Sequence, residues 1–228
     1  DWHLGDRIRQ VGLESFYHSE LQQASYVTRF LANARLTKSP QVFDATWYTA
    51  STFAGARFLL VGDAGLFVDP LSSEGVHKAM ASAITGAIVS NTILKRPAAA
   101  TAAIQFYQEN QHYTYESHYA ESVRYYREER RWTEAPFWAQ RTSAPSSEFQ
   151  IPSSEPHVPV GQKPTRVADV RIAPGVAIQL RPVIEGLFVE MREVVIAPPY
   201  PRGVRFLQEV GVPALLRQVE TGTAVAGI

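Results

Sequence analysis

Hydrophobic residues recur at intervals of three and four positions through residues 1–38, as they do on one face of an α-helix. This spacing predicts that the segment is mostly helical and has one apolar face. The pattern stops at Lys38, Ser39 and Pro40, because proline and small polar residues interrupt helices. Residues 42–50 are rich in Phe, Trp, Tyr and Thr, a composition that is typical of a β-strand.

A second strand is predicted at residues 57–61, where an apolar run ends at Gly62. Continuous apolar runs of this length are typical of strands that are buried on both faces, as in a mixed α/β sheet. A loop over residues 64–74 then leads to a helix over about 75–94, which ends where Pro97 follows two basic residues. The order of these elements predicts an α/β fold class.

The second half of the chain divides into three parts by composition. Residues 101–142 form a long helical segment crowded with aromatic side chains, which we expect to pack against a neighbouring domain; an aromatic wall facing a substrate is the alternative. Residues 143–164 carry five prolines among serines and are expected to be an irregular linker. Residues 165–228 look like a small α+β module, similar to a winged helix. The strands expected in it lie at 167–172 and 176–180, and the helices at 183–196 and 203–220.

Composition and charge narrow the possible partners. Hydrophobic residues make up 45% and charged residues 19% of the 228 residues, a balance that is typical of a globular protein. The 22 basic and 22 acidic side chains cancel, which argues against nucleic acid or an anionic membrane as a partner. The absence of cysteine excludes disulfides, Cys-ligated zinc, iron–sulfur clusters and thiol nucleophiles. Because no signal peptide and no membrane span is recognisable, we expect a cytoplasmic location.

The chemically informative segment covers residues 57–80. Gly62 lets the backbone approach a ligand closely at the end of the predicted strand. Asp63 follows at the edge where open α/β sheets bind ligands, and its carboxylate can accept a hydrogen bond from a ribose or ribityl hydroxyl. Pro70 stiffens the next loop, because the residue before a proline is pushed out of the α region. Gly75 opens a helix whose free N–H groups and positive dipole end point toward the same loop.

This pattern resembles a known family. The motif Gly62-Asp63-Ala64, followed by Asp69-Pro70 and then by Gly75-Val76, resembles the second FAD-binding motif of flavin-dependent monooxygenases and flavin-dependent halogenases. Those proteins share the fold of p-hydroxybenzoate hydroxylase, and geranylgeranyl reductases are related to them. The resemblance implies an FAD-dependent oxidoreductase of mixed α/β fold, with a helical segment and a small α+β tail module added to it.

The resemblance also assigns roles to individual residues. In the family, the acid that matches Asp63 binds the sugar portion of FAD, and Gly62 belongs to the same cofactor-binding motif. The loop at Pro70 lies against the isoalloxazine ring, and the amides that match Gly75 and Val76 face the N1–C2=O edge of that ring. Negative charge sits at this edge in reduced flavin, which agrees with the helix-dipole argument made above.

One family feature is missing from the sequence. No G-x-G-x-x-G motif occurs in the 228 residues, although the family carries this pyrophosphate-binding fingerprint near its beginning. We therefore expect the chain to be the C-terminal part of a longer flavoprotein, in which residues 1–100 complete the FAD-binding and substrate domain. The N-terminal segment of the same protein is then an expected partner.

The reaction implied by the resemblance is hydroxylation of an electron-rich, aromatic substrate through a flavin C4a-hydroperoxide. The substrate is a small molecule or a peptide, and the other partners are O2 and a reductant, either NAD(P)H or a flavin reductase. Halogenases usually place Ser or Thr before the glycine that matches Gly75, whereas this chain has Glu74, whose carboxylate would repel a halide. The sequence therefore favours a hydroxylase, with similarity to the monooxygenases that hydroxylate a peptide-bound tryptophan during quinone-cofactor maturation. A halogenase, a geranylgeranyl-reductase-like oxidoreductase and a non-catalytic interaction protein are the alternatives.

Three histidines require a separate interpretation. His77 lies in the first turn of the predicted helix and is a possible catalytic residue, although a simple hydrogen-bonded histidine is the plainer interpretation. A hydrolase triad with Ser73 and Asp69 is rejected, because no G-x-S-x-G elbow is present. His112 and His118 do not have the i,i+4 spacing of a helical metal-binding pair, so no metal site is expected.

Overall fold

The structure is a computed structural model that describes residues 2–31, 33–142, 172–198, 200–207 and 209–220. The N-terminal part forms three short helices, α1 (Trp2–Val11), α2 (Leu13–Gln23) and α3 (Ser25–Leu31). Their presence confirms the helical prediction for this segment. No residue of α2 or α3 is buried, so the apolar face of these two helices contributes nothing to a core within the described residues.

Four very short strands follow and pair as two separate antiparallel ladders. One ladder joins β1 (Tyr48–Thr49) to β4 (Leu66–Phe67), and the other joins β2 (Ala54–Gly55) to β3 (Phe58–Leu59). The strand predicted over residues 42–50 is therefore limited to Tyr48–Thr49. The loop around these ladders is held by backbone bonds, such as the one from the Ala50 N–H to the Gly65 carbonyl.

The prediction of a strand buried on both faces at residues 57–61 is wrong. The strand itself is limited to Phe58 and Leu59, and Phe58 is 49% exposed. The reason is that β2, reached through a tight turn, is the one strand that pairs with β3 among the described residues. An apolar run produces a buried strand only where other strands and helices cover it.

Two long helices carry most of the core. Helix α4 (Gly75–Lys95) confirms the helix predicted at about 75–94, and Pro97 ends it as expected. Helix α5 (Ala100–Glu128) packs against it and is followed by the short α6 (Pro136–Arg141). The fully buried side chains between the two long helices and the preceding ladders are those of Phe53, Leu66, Val89, Ala103 and Tyr107.

The tail contains a β-hairpin where a helix was predicted. Strands β5 (Ala177–Glu185), β6 (Phe188–Ala197) and β7 (Tyr200–Val204) form an antiparallel sheet in that order, so the predicted helix at 183–196 is wrong. Gly186 explains the difference, because its φ of +58° makes the two-residue turn between the paired Glu185 and Phe188. The strand predicted at 176–180 is confirmed and extends further, to Glu185.

The end of the tail is only partly helical. Strands β8 (Phe206–Leu207) and β9 (Val210–Gly211) pair with each other, and α7 (Val212–Glu220) follows. The predicted helix at 203–220 is therefore correct only from Val212 onward. The predicted linker at 143–164, most of the predicted strand at 167–172 and the last eight positions, 221–228, lie outside the described residues.

The hairpin is attached to α4 by specific polar contacts. The Val189 N–H donates to Thr92 Oγ1 at 2.8 Å, and Asn91 Nδ2 donates to the Leu187 carbonyl at 2.8 Å. The side chain of Val189 is 1% exposed and belongs to the main core. The sheet therefore packs on the same helix whose first turn begins the candidate site.

None of the helices in the described part of the chain has the length and apolar character that a membrane span requires.

Candidate functional site

The candidate site begins at Gly62, where the chain turns after β3. The φ of Gly62 is +60°, and its N–H donates to Ser82 Oγ in α4 at 2.9 Å. A Cβ at this position would lie 3.4 Å from the Cβ of Ala79. Such a contact is ordinary, so it is the left-handed turn that favours glycine here, while the amide of Gly62 is occupied by the helix.

Asp63 lies on the surface of the 3-10 turn that follows. Its side chain is 61% exposed, and Oδ1 accepts a hydrogen bond from Lys78 Nζ at 2.7 Å. The Tyr48 hydroxyl donates to the Asp63 carbonyl, which ties this turn to β1. Within the described residues Oδ2 has no hydrogen-bond partner, so one oxygen of the carboxylate is available to accept a hydrogen bond from a ligand.

Lys78 also lies at the candidate site, and it is not among the residues expected from the sequence. It is 4% exposed, and its Nζ also donates to the Leu66 carbonyl at 2.5 Å. The signal was present in the sequence, because Lys78 shares helical spacing with Ser82, Gly86 and Val89, which form the buried face of α4. A lysine on the buried side of a helix requires polar partners, and Asp63 provides one of them.

The loop at Pro70 is held rigidly by its neighbours. Asp69 is 5% exposed, and its Oδ1 accepts the Leu71 N–H at 2.8 Å while its Oδ2 accepts the Tyr126 hydroxyl at 2.9 Å. Burial, together with the hydrogen bond to Asp69, raises the pKa of Tyr126 to about 12. Both oxygens of Asp69 are thus used to fix the loop, which supports the rejection of a hydrolase triad.

The aromatic part of α5 and α6 surrounds this anchor. The Tyr126 ring stacks on Trp47 with a centroid separation of 6.3 Å, and Phe137 and Trp138 pack edge-on against it at 6.0 and 5.7 Å. The aromatic residues expected to contact a neighbouring domain therefore pack, in this part of the helix, on the loop that leads into the candidate site.

The first turn of α4 presents free backbone donors. The first bond within the helix runs from the Lys78 N–H to the Glu74 carbonyl at 2.8 Å, so the helix does not use the amides of Gly75, Val76 and His77. A Cβ on Gly75 would meet no atom within 4 Å, and Val76 is 75% exposed. These amides and the dipole of a 21-residue helix favour a negatively charged group beside the loop.

Two histidines lie near this helix start. His77 is 82% exposed at its side chain, and its Nδ1 lies 2.9 Å from Glu74 Oε2. His118 on α5 is partly buried, and this burial lowers its pKa against the opposing influence of Glu74 and Glu121. The Nδ1 of His118 is buried without a hydrogen-bond partner in the described part of the chain. No cluster of three or more potential metal ligands occurs in that part.

Parts of the chain are similar in sequence to halogenases. Over 98 residues the chain is 39% identical to a tryptophan 2-halogenase from Chondromyces crocatus, a match that covers 42% of this chain and 19% of the halogenase. It is 40% identical over 86 residues to the flavin-dependent halogenase ptaM from Pestalotiopsis fici, covering 36% of this chain and 16% of that protein. No family model matches the chain.

Two solved structures have a similar fold. The peptidyl tryptophan dihydroxylase QhpG, described as essential for tryptophylquinone cofactor biogenesis, matches 95% of this chain and 48% of its own length with a TM-score of 0.72 and 27% identity. The flavin-dependent halogenase CmlS matches 100% of this chain and 48% of its own length with a TM-score of 0.68 and 19% identity. The chain thus spans about half the length of these structures and less of the curated relatives.

These similarities confirm two predictions from the sequence. The chain has the mixed α/β fold of a part of such proteins. The proteins that it resembles are flavin-dependent oxidoreductases, and FAD is the cofactor that this resemblance implies.

Proposed function

We infer that this chain is part of a protein in the superfamily of flavin-dependent halogenases and monooxygenases, and we propose that the whole protein is an FAD-dependent enzyme that oxidises an aromatic substrate. The observation that carries the proposal is the arrangement of the loop from Gly62 to Gly75. It presents a half-free carboxylate at Asp63 and unused helix amides at Gly75 and Val76.

The donor and acceptor groups of this loop fit FAD. The free oxygen of Asp63 can accept a hydrogen bond from a sugar hydroxyl. The amides of Gly75 and Val76 can donate to the electron-rich edge of a flavin ring, where a helix N-terminus stabilises negative charge. Pro70 is exposed on a loop that Asp69 and Tyr126 hold in place, so it can serve as a fixed surface against the ring.

FAD would supply the redox chemistry, and the protein would supply orientation and electrostatic support. The rigid Asp69 anchor would keep the loop from moving when the ring binds. His77 is exposed at the same helix start, and we propose that it contacts the substrate or the flavin. The remaining partners in this proposal are O2 and a reductant, either NAD(P)H or a flavin reductase.

Two reactions are candidates for the oxidation step. Similarity to the two halogenases supports halogenation better than the hydroxylation that the sequence motif favours. The local observation in favour of hydroxylation is Glu74, because its carboxylate, 43% exposed and paired with His77, lies where a halide would have to approach. The similarity to a peptidyl tryptophan dihydroxylase supports hydroxylation of a peptide as one form of this reaction.

A further part of the proposal concerns an exposed apolar face. Val76, Met80 and Ile84 follow one another on the outer side of α4 and are 75%, 61% and 62% exposed. Monomeric proteins rarely leave so many neighbouring apolar side chains uncovered. We propose that the N-terminal segment of the same protein covers this face and completes the FAD site.

The test uses the intact protein that contains this chain. We expect the purified protein to show a flavin absorption spectrum, and we expect Asp63→Ala to weaken FAD binding by about 1–3 kcal/mol, since it removes a charged acceptor. The matched control is Asp6→Ala, at an exposed acid that contacts only Arg9 among the described residues. An intact protein that binds no flavin, or an Asp63→Ala variant with unchanged affinity, would contradict the proposal.

The two candidate reactions are separated by their products. With 18O2 and no added halide, a hydroxylase incorporates labelled oxygen into its aromatic substrate. With chloride or bromide, a halogenase forms a product of higher mass that carries the isotope pattern of the halogen. Halogenated product formed efficiently by the wild-type protein would show that Glu74 does not exclude halide.

A further inference from the structure

Lys78 is the one buried basic residue in the described part of the chain. It belongs to the second turn of α4, where its side chain is only 2% exposed while that of its partner Asp63 is 61% exposed. A buried ammonium is costly unless hydrogen bonds and an opposite charge replace the water it has lost. An apolar residue of similar length would pack equally well at this position. The presence of a lysine therefore requires a reason other than packing.

The ammonium group joins three segments around the candidate site. Nζ lies 2.7 Å from Asp63 Oδ1 in the 3-10 turn and 2.5 Å from the Leu66 carbonyl at the start of β4. The third segment is α4 itself, which carries the lysine. The Asp63 side chain is largely exposed, and among the described residues Lys78 is the one side chain that donates a hydrogen bond to its carboxylate.

We propose that Lys78 is a positioning residue for FAD binding: it holds Oδ1 of Asp63 so that Oδ2 faces the sugar hydroxyl of the cofactor. The inference rests on the proposed function, because it assigns Lys78 a role through the acid of that same site. In this arrangement Oδ1 of Asp63 bonds to Lys78 inside the protein, and Oδ2 is left for the ligand. Without Lys78, the exposed carboxylate is free to rotate and to be hydrated, and the ordering of Asp63 has to be provided by the cofactor itself.

The test is a double-mutant cycle on the intact protein, with FAD affinity as the readout. The four proteins are the wild type, Lys78→Met, Asp63→Asn and the double variant, each titrated with FAD and monitored by flavin fluorescence. We expect Lys78→Met to weaken binding on the order of tenfold in the wild-type background. In the Asp63→Asn background the same substitution should change the affinity less than about twofold, because the group that Lys78 positions has lost its charge.

The cycle distinguishes positioning from general stabilisation. If Lys78 only stabilised the fold, Lys78→Met would weaken FAD binding by the same factor in both backgrounds, and that result would overturn the inference. An unchanged affinity in the single variant would overturn it as well. Lys95→Met is the matched control, since Lys95 is an exposed lysine at the other end of the same helix.

Two further measurements keep the outcomes separate. If Lys78→Met does not fold, as judged by the thermal midpoint of the flavin-free protein, Lys78→Leu replaces it, because this smaller apolar side chain also lacks a donor for Asp63. A wild-type protein that binds no FAD would reject the proposed function and this inference with it. Normal FAD binding by the wild type together with an unaffected Lys78 variant would reject the inference alone.

Discussion

At the scale of single residues, the candidate site combines groups that the sequence brings together with groups that only folding does. Gly62 and Asp63 are adjacent in sequence, so the local motif by itself predicts a turn that is followed by an acid. Lys78 and Tyr126 come from two different helices, yet they hold Asp63 and Asp69. Helical spacing marks Lys78 as a buried residue, but no local pattern shows which acid Lys78 or Tyr126 contacts.

The first prediction at this scale concerns the anchor of the Pro70 loop. Tyr126→Phe removes the hydrogen bond to Asp69 and leaves Oδ2 of a 5% exposed carboxylate without its donor. We expect the free energy of unfolding to fall by about 1–3 kcal/mol, as measured by urea denaturation. The control is Tyr125→Phe, because the neighbouring Tyr125 is 43% exposed and should tolerate the change. Equal effects of the two substitutions would contradict the role of Tyr126.

The second prediction concerns His118, whose pKa is lowered by burial from its ordinary value of 6.5. As the pH falls, the unfolded chain protonates His118 before the folded protein does. The folded protein is therefore most stable at a pH above the ordinary pKa of histidine, and it loses stability as the pH falls toward the lowered pKa of His118. The wild-type protein should lose free energy of unfolding between about pH 7 and pH 5, and we expect His118→Asn to reduce that loss. Urea denaturation at each pH measures it. His77→Asn, at an exposed histidine, should leave that loss unchanged.

At the scale of elements, α4 is the most predictable part and the tail is the least. The start of α4 at Gly75 and its end before Pro97 are marked by residue types that begin and end helices. The hairpin of β5 and β6 was predicted as a helix over 183–196, because its apolar residues also fit a helical period. The positive φ of Gly186 decides for the hairpin, and pairing between the two strands stabilises it.

The prediction at this scale is that Gly186→Ala destabilises the hairpin. Gly186 has a φ of +58° and open space around its Cα, so the cost of a Cβ is conformational and not steric contact with neighbours. We expect a loss of about 1 kcal/mol in the free energy of unfolding, measured in urea. Gly211→Ala serves as the control, since a Cβ there also meets no atom within 4 Å and the backbone is not left-handed. A smaller loss at Gly186 than at Gly211 would count against the turn as the cause.

At the scale of the whole molecule, the notable feature is the apolar outer face of α4, which no described residue covers. Val76, Met80 and Ile84 are more than half exposed, although the helix that carries them is central to the core. Phe58, predicted to lie in a strand buried on both faces, is also exposed. Under the proposed function, the N-terminal segment of the same protein covers this face.

A charged residue on the outer face of α4 in the intact protein tests whether this face is covered. If the N-terminal segment covers it, Ile84→Asp buries an unpaired carboxylate and should lower the free energy of unfolding by about 2 kcal/mol or more. Thr101→Asp, at an exposed position in the first turn of α5, is the control and should have little effect. Denaturation of the intact protein with either substitution gives the comparison. An Ile84→Asp variant as stable as the control would mean that the face stays open to solvent.

The sequence by itself determined the features that depend on neighbouring residues: the helical N-terminal segment, the bounds of α4, and the loop motif that resembles a flavin site. These are local because helix signals and turn residues act within a few positions of one another. Tertiary structure alone decided the partner of Asp63, the anchor of Asp69, and the length and burial of the strand at 57–61. Each of these depends on which distant surfaces meet, and burial and ion pairing arise only when the packed chain excludes water from the groups concerned.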